Sequence, residues 1–560
     1  MQAIYDIPEI LFQHGVTDVV LSPGSRCAPL SIAFARHKKL QIKVVPDERS
    51  AAFIALGMSL QTQKPTVLIC TSGSALYNYA PGIVEAYYQR IPLIVLSADR
   101  PPEWIDQNDG QTIQQQEIYG KHSKAFFQLS AEHEIPATQW ETYRKVNEAI
   151  SIAEAYPKGP VHINIPFREP FYPKGEITFS ESPTVIKREQ PVHTLSEDQW
   201  KRLQQKLDSY KKILFVGGQH HYDESLRLKI GNIKAPFIGE IVSNLHSVRN
   251  VIHTHDTMLT SIPLSDLEEL KPDLVISFGG ALLSKWLKQF IRSNNSIDHW
   301  YIGPDVTTAD VFQQLVEIVP VHLNEFLSKT SIASNTQEQF LQRWMQQQTH
   351  IIPTIRDFNT KEKTFNEFTA VFDVLNHLPS FAKLHLANSM SVRYANTIGI
   401  SQRSAEVFAN RGTSGIDGVI STAYGYALKT PQLVTIITGD LAFFYDRNAF
   451  WNNYKPSNLR VVLLNNHGGG IFRMIDGPSA LPELDEFFET KQTLSAKYLA
   501  TEHGLEYTLC KNFNDLNKAI EGFFQPSMFG KILEIETDSR KNTEVFKRFK
   551  KTIQQHYYTD

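Results

Sequence analysis

Two stretches near the end of the chain carry the residues best suited to chemistry. The apolar run Val434–Thr438 leads straight into Gly439 and Asp440, and the run from Arg460 to Leu464 leads into Asn465 and Asn466, followed by Gly468, Gly469 and Gly470. Continuous apolar runs of this kind suit parallel strands buried on both faces. Ligands collect at the carboxyl ends of such strands. Asp440 offers a carboxylate and Asn466 an amide oxygen, and two hard donors at strand ends can share one Mg²⁺, which often joins one or two side chains to a phosphate. The glycines leave backbone groups free to approach that phosphate. Ordinary strand-end turns, rich in Asp, Asn and Gly, explain the residue types about equally well. The helix-sized segment between the two strands favours a shared site.

A further acid stands near the other end. Glu48 lies in Val45-Pro46-Asp47-Glu48-Arg49-Ser50-Ala51-Ala52, after the strand-like Gln41–Val45 and before an Ala-rich helical stretch. Acids at helix starts usually meet the helix dipole, and taken alone residues 47–49 read that way.

The elements that must position these residues are legible as α/β units. Asp18–Leu21, Pro65–Cys70 and Pro92–Ala98 read as strands, with Leu76–Gln89 a helix between the last two. Ile213–Gly218 and Asp273–Gly280 restart the pattern after a Pro-, Ser-, Lys- and Glu-rich linker over about 171–196. A Gln-rich stretch, 328–349, reads as a second linker containing a helix. The expectation is an α/β chain of three parallel-sheet domains, 1–175, 195–330 and 355–560. The basic segment Arg540–Lys551 reads as a solvated helix face.

Composition narrows the function classes. The 560 residues carry a net charge of -3, so the basic footprint of a nucleic-acid binder is missing. No apolar run is long enough to span a membrane, and residues 1–10 do not read as a signal peptide. Cys27, Cys70 and Cys510 have neither metal-ligand nor disulfide spacing, so a reducing cytoplasm is expected.

The Gly-Asp and Asn-Asn pairs at this spacing resemble the diphosphate- and metal-binding motif of thiamine-diphosphate enzymes. That resemblance implies three α/β domains, pyrimidine-binding, central and diphosphate-binding. It implies thiamine diphosphate with Mg²⁺, or Mn²⁺ in its place, held by Asp440, Asn466 and the Gly468 carbonyl. It makes Glu48 the acid that faces the cofactor's aminopyrimidine ring. It also implies a homodimer at least, with a tetramer compatible, since such cofactors sit between two subunits.

Five further segments, Ser22–Arg26, Asp47–Ser50, Cys70–Ser74, Ala98–Pro102 and Asn410–Gly418, are similar to those of the menaquinone-biosynthesis branch of these enzymes. The similarity is weaker in the middle of the chain. It implies two anionic substrates, 2-oxoglutarate and isochorismate, and hence several guanidinium groups, whose planar fork suits carboxylates. The implied catalytic set is Glu48, Arg26 and Gln111. The implied cofactor contacts are Ser414, Ile416, Gly468 and Gly469 besides Glu48, Asp440 and Asn466, with Ile416 bending the cofactor. The implied substrate contacts are Arg26, Lys285, Ser389, Arg393 and Arg411, with Ile471, Phe472 and Ile475 as an apolar wall. Two departures stand out: Gly110 precedes Gln111 where many members carry Asn, and Trp286 follows Lys285 where some carry a second basic residue. The competing readings are a carboligase or decarboxylase of monoanionic oxo acids, such as an acetohydroxyacid synthase, and a non-catalytic subunit of the same fold. The arginines argue against the first, and retention of Glu48, Asp440 and Asn466 argues against the second.

Overall fold

Among the described residues, eighteen strands form three six-stranded sheets, and every strand pair is parallel. The computed structural model describes residues 1–560 except 173–174, 190, 306–307, 333 and 559–560. The first sheet contains β1 (Asp18–Leu21), β2 (Gln41–Val44), β3 (Thr66–Cys70), β4 (Leu93–Asp99), β5 (Phe126–Gln128) and β6 (Val161–Pro166). The second contains β7 (Ile213–Gly217), β8 (Phe237–Gly239), β9 (Val251–Ile252), β10 (Leu274–Phe278), β11 (Asp298–Ile302) and β12 (Leu315–Val319). The third contains β13 (Lys383–Leu386), β14 (Glu406–Phe408), β15 (Val434–Gly439), β16 (Leu459–Asn465), β17 (Glu506–Cys510) and β18 (Lys531–Glu536).

Burial explains the residue choice. The apolar runs β3, β4 and β16 are buried throughout, because helices cover both faces of a parallel sheet. The edge strand β17 instead alternates exposed and half-buried residues. The first and third sheets share one winding, β2-β1-β3-β4-β6-β5 and β14-β13-β15-β16-β18-β17. The central sheet runs β12-β11-β10-β7-β8-β9, so its order reverses between β7 and β10.

The first and third sheets meet through two equivalent helices, each following its sheet's second strand: Glu48–Thr62 and Val419–Ala427. Each presents a glycine to the other's backbone. A Cβ added at Gly57 would lie 2.0 Å from the Thr422 carbonyl oxygen, and one at Gly425 would lie 2.0 Å from that of Ile54. Behind this crossing a single apolar cluster runs from Val20 and Leu68 to Ile420 and Val461.

One expectation needs correction. The Gln-rich stretch is no linker: Asn335–Lys361 is a helix that buries Phe340, Trp344, Ile351 and Ile355 in a core shared by the central and third sheets. Its apolar residues recur with helical spacing among the glutamines, and that spacing outweighs the polar composition. The basic segment 540–551 does form a solvated helix face: within the helix Ser539–Tyr558 its six Lys and Arg residues are exposed, while Val545, Phe549 and Ile553 turn the other side to the core. The stretch 171–196 does lack helix and strand; its residues 173, 174 and 190 lie outside those described. Among the described residues no helix is long and apolar enough to cross a membrane.

Candidate active site

Asp440 and Asn466 stand at the carboxyl ends of the adjacent strands β15 and β16, whose register pairs Gly439 with Leu464. Asp440 is 2 % exposed. Its Oδ1 accepts from the Leu441 amide at 2.8 Å, its Oδ2 accepts from Gln492 Nε2 at 2.7 Å, and the Gly468 amide also donates to the carboxylate. Burial nevertheless outweighs these donors and pushes the carboxyl up to about 6. Asn466 donates Nδ2 to Glu367 Oε1 at 2.6 Å, which leaves its buried Oδ1 without a partner. A crowded carboxylate beside an orphaned amide oxygen is a donor set that a hard cation fits. Among the described residues no three His, Cys, Asp or Glu side chains gather as a metal cluster. A cation here would have one carboxylate, one amide and backbone oxygen to draw on. The Gly468 carbonyl, expected as a ligand, accepts from the Gly470 amide at 3.0 Å. Gly468 is also closely packed, since a Cβ there would lie 2.7 Å from the Glu489 carbonyl oxygen. Gly469 donates its amide to that same oxygen at 2.6 Å.

Glu48 opens the helix Glu48–Thr62, with Asp47 as the N-cap accepting from the Arg49 and Ser50 amides at 2.9 and 3.3 Å. Asp47 Oδ2 also accepts from Asn448 Nδ2 of the third domain at 2.7 Å. Capping thus falls to Asp47, and Glu48 is free for another task. Glu48 is half-buried, and burial, with the charge of Asp47 adding to it, raises its carboxyl despite a hydrogen bond from Asn78. Among the described residues no interaction joins Glu48 to Asp440, Asn466 or Gly468 within the chain.

Arg26 is 5 % exposed, donates to the Phe167 carbonyl at 3.1 Å and lies 4.2 Å from the centre of the Phe171 ring. Gln111 is exposed in left-handed backbone geometry, φ 57°, with its Cα and Cβ 3.4 Å from where a Cβ of Gly73 would be.

Arg393 and Arg411 lie near each other where the central and third domains meet. Ser389 takes φ 72° at the head of the helix Met390–Ile398, an unfavourable geometry for a side-chain-bearing residue. Its carbonyl accepts from Arg393 Nη1 at 2.7 Å. Arg411 donates Nη1 to Asn388 Oδ1 at 2.7 Å, while its buried Nε has no partner. Desolvation, and then the like charge of Arg411, lower the guanidinium of Arg393, although one side stays open to solvent. Asn388 also donates to the Asn410 and Gly415 carbonyls at 2.8 and 2.6 Å, which fixes the loop bearing Ser414 and Ile416. Ile416 is 39 % exposed and Ile475 43 %, whereas Ile471 is partly buried against the core and Phe472 packs on Phe488. Lys285 is exposed as the first residue of the helix Lys285–Arg292.

Several residues that hold the site have no motif around them. Glu85 accepts from the Gly412 and Thr413 amides at 2.8 and 2.6 Å, and so ties the first domain to the Arg411 loop. Gln115 fixes Gly73 by accepting its amide at 2.9 Å. Gln492 and Glu367 buttress Asp440 and Asn466. Glu367 opens the helix Glu367–Asn376, where an acid is ordinary, so it too gave no local signal.

Three doubly wound domains with an oxygen-donor site at the carboxyl edge of the third define the architecture of thiamine-diphosphate enzymes. Residues 1–125 match the family model described as thiamine pyrophosphate enzyme, N-terminal TPP binding domain. A protein of Cytophaga hutchinsonii named 2-succinyl-5-enolpyruvyl-6-hydroxy-3-cyclohexene-1-carboxylate synthase is 91 % identical over 557 residues, covering 100 % of both chains. Proteins of the same name from Flavobacterium johnsoniae and Bacteroides fragilis are 36 % and 35 % identical, each match covering 98 % of both chains. The chain belongs to the family of 2-succinyl-5-enolpyruvyl-6-hydroxy-3-cyclohexene-1-carboxylate synthases.

Proposed function

We propose that the chain decarboxylates 2-oxoglutarate and joins the remaining succinyl unit to isochorismate, giving 2-succinyl-5-enolpyruvyl-6-hydroxy-3-cyclohexene-1-carboxylate for menaquinone biosynthesis. The observation that carries this reading is the 91 % identity over the full length to a protein of that name. In this reaction C1 of 2-oxoglutarate leaves as CO₂ and its C2 bonds to the ring alkene of isochorismate. Thiamine diphosphate supplies the electron sink for the pair left on C2 when CO₂ departs.

The residues divide this work. Asp440 and Asn466, with backbone oxygen at Gly468, hold Mg²⁺, or Mn²⁺, against the diphosphate. Glu48, its carboxyl raised by burial, holds a proton against the aminopyrimidine ring. Ile416, with Ser414 and Gly469, would line the cofactor between its two rings and its diphosphate. Arg393, with Ser389 and Arg411, binds the distal carboxylate of 2-oxoglutarate, since a carboxylate leaving water needs a charged partner. Arg26, Gln111 and Lys285 complete the polar lining, and Ile471, Phe472 and Ile475 the apolar wall.

Following the family resemblance, Glu48 of one chain serves the cofactor held by Asp440 and Asn466 of another. A homodimer is then the minimal unit, and sedimentation distinguishes it from a tetramer. We assign residues 1–175 as the pyrimidine-binding domain, 195–330 as the central domain and 355–560 as the diphosphate domain. We place the enzyme in the cytoplasm, in keeping with three free, buried cysteines. The deciding experiment mixes protein, thiamine diphosphate, Mg²⁺, 2-oxoglutarate and isochorismate and identifies the product by mass spectrometry. Preference for pyruvate over 2-oxoglutarate would overturn the assignment.

A further inference from the structure

Asparagine is an ambiguous metal ligand, because its amide carries an oxygen acceptor at one end and an N–H donor at the other. Only the oxygen can hold a hard cation. At Asn466 one contact makes the choice between them: Nδ2 donates to Glu367 Oε1 at 2.6 Å. A carboxylate accepts and cannot donate. Glu367 therefore takes the nitrogen end and leaves Oδ1, buried and without a partner among the described residues, as the end open to a cation. Gly470 makes room for this arrangement, since a Cβ there would lie 3.0 Å from Asn466 Nδ2.

The preceding residue shows the same contact without a metal task. Asn465 also gives Nδ2 to a buried glutamate, Glu534 Oε1 at 2.7 Å, and to the Leu494 carbonyl at 2.9 Å. Its Oδ1, however, is filled by the His467 amide at 3.2 Å and by Gln492 Nε2 at 3.0 Å. Both asparagines hand their nitrogen to a glutamate, but among the described residues only Asn466 keeps its oxygen free.

Glu367 is itself firmly held. It is the first residue of the helix Glu367–Asn376, and capping falls to Asn366, whose side chain accepts from the Thr369 amide at 3.1 Å. The Glu367 amide donates to Asn542 Oδ1 at 3.0 Å, on the helix Ser539–Tyr558. Its carboxyl is thus spared for Asn466, and the residue is 2 % exposed. Burying a carboxyl is costly unless it is hydrogen-bonded, and an acid that served only the helix dipole would do so from water.

We propose that Glu367 is a positioning residue for the metal site: by taking the nitrogen of the Asn466 amide, it fixes Oδ1 as the cation's ligand. The inference rests on the reading of Asp440 and Asn466 as metal ligands. It makes the two side chains interdependent, because an acid at 367 suits an amide at 466 and an amide at 367 suits an acid at 466.

The test measures thiamine diphosphate affinity by calorimetry with and without Mg²⁺, and the Tm of the metal-free protein. It compares wild type, Glu367→Gln, Asn466→Asp and the double variant. Glutamine offers an N–H as readily as an oxygen, so in Glu367→Gln the Asn466 amide is free to turn. Mg²⁺-dependent affinity then falls about tenfold, the lower end of the roughly 10–100-fold that outer partners of a metal site cost. Asn466→Asp alone sets two carboxyls against each other and weakens binding. Adding Glu367→Gln to it restores a donor facing an acceptor, and affinity recovers about tenfold, the effect of one charge-assisted hydrogen bond. One substitution thus weakens the first background and strengthens the second, which a residue serving only the fold has no reason to do. Unchanged affinity in Glu367→Gln overturns the proposal, as does a loss in both backgrounds. Should Asn466→Asp fail to fold, the single variant decides: a loss confined to Mg²⁺-dependent affinity supports the proposal, and a fall in the Tm of the metal-free protein overturns it. Wild-type cofactor binding that needs no divalent cation would instead sink the metal assignment itself.

Discussion

The first and third sheets are wound alike, yet their carboxyl edges carry opposite equipment. After β2 the first domain places Glu48 at a helix start; after β14 the third places Arg411 and the Ser414–Ile416 loop ahead of the equivalent helix. After β3 comes the small, uncharged turn Thr71–Ser74, and after β15 comes Asp440. After β4 the chain leads to the neutral Gln111 and Gln115, and after β16 to Asn466 and three glycines. The winding therefore settles where ligands can sit, and the residues at strand ends settle which chemistry happens there. Among the described residues Glu48 is half-buried and joined to no cation, whereas Asp440 is buried beside an unpaired amide oxygen, so the first suits proton handling and the second suits a metal.

Five substitutions can break or sharpen this contrast. The largest effect belongs to Asp440→Ala. Cofactor affinity, measured by calorimetry with Mg²⁺, should fall by more than the roughly 10–100-fold that outer partners of a metal site cost, so that nothing is retained at micromolar cofactor. Unchanged affinity would remove the metal from this edge.

Glu48→Gln should behave in the opposite way. Cofactor binds, but exchange of its C2 proton, followed by NMR, slows by about 10²–10⁴-fold. If exchange ran at the wild-type rate, Glu48 would be a helix-end acid and nothing more.

Next comes Arg393→Ala. Truncating one partner of a buried charge pair costs about 2–5 kcal/mol, so kcat/KM for 2-oxoglutarate should drop roughly 30- to several-thousand-fold at about 1.4 kcal/mol per decade. Pyruvate, lacking the distal carboxylate, should change little. Equal losses on both oxo acids would move the arginine to another role.

Gln492→Ala tests the support under Asp440. Cofactor affinity should weaken by about 10–100-fold, and a wild-type value would show that Asp440 is placed without it.

The smallest effect is structural. Gly57→Ala drives a Cβ into the Thr422 backbone, and overpacking of this kind costs about 1–3 kcal/mol. Tm should fall while kcat stays near wild type; an unaltered Tm would mean that the helix crossing relaxes freely.

Much of this was written locally in the chain. Apolar runs ending in Gly-Asp and Asn-Asn announced buried parallel strands with donors at their tips, because strand period and turn chemistry act over a few residues. The places of Asp440 and Asn466 at strand tips were therefore legible before any fold was known, whereas Glu48 stood out only through the family resemblance. The order in which strands pair was not legible, since pairing joins segments far apart in the chain. Only the tertiary structure decided that the first and third sheets repeat one winding, that Gly57 and Gly425 let two helices cross at backbone contact, and that the glutamine-rich 335–361 helix is core. It also decided which ordinary residues hold the site. Gln492 and Glu85 sit in no motif, and each takes its meaning from a neighbour dozens to hundreds of positions away. Local sequence specifies what a side chain can do; the folded chain brings together the groups that make it do so.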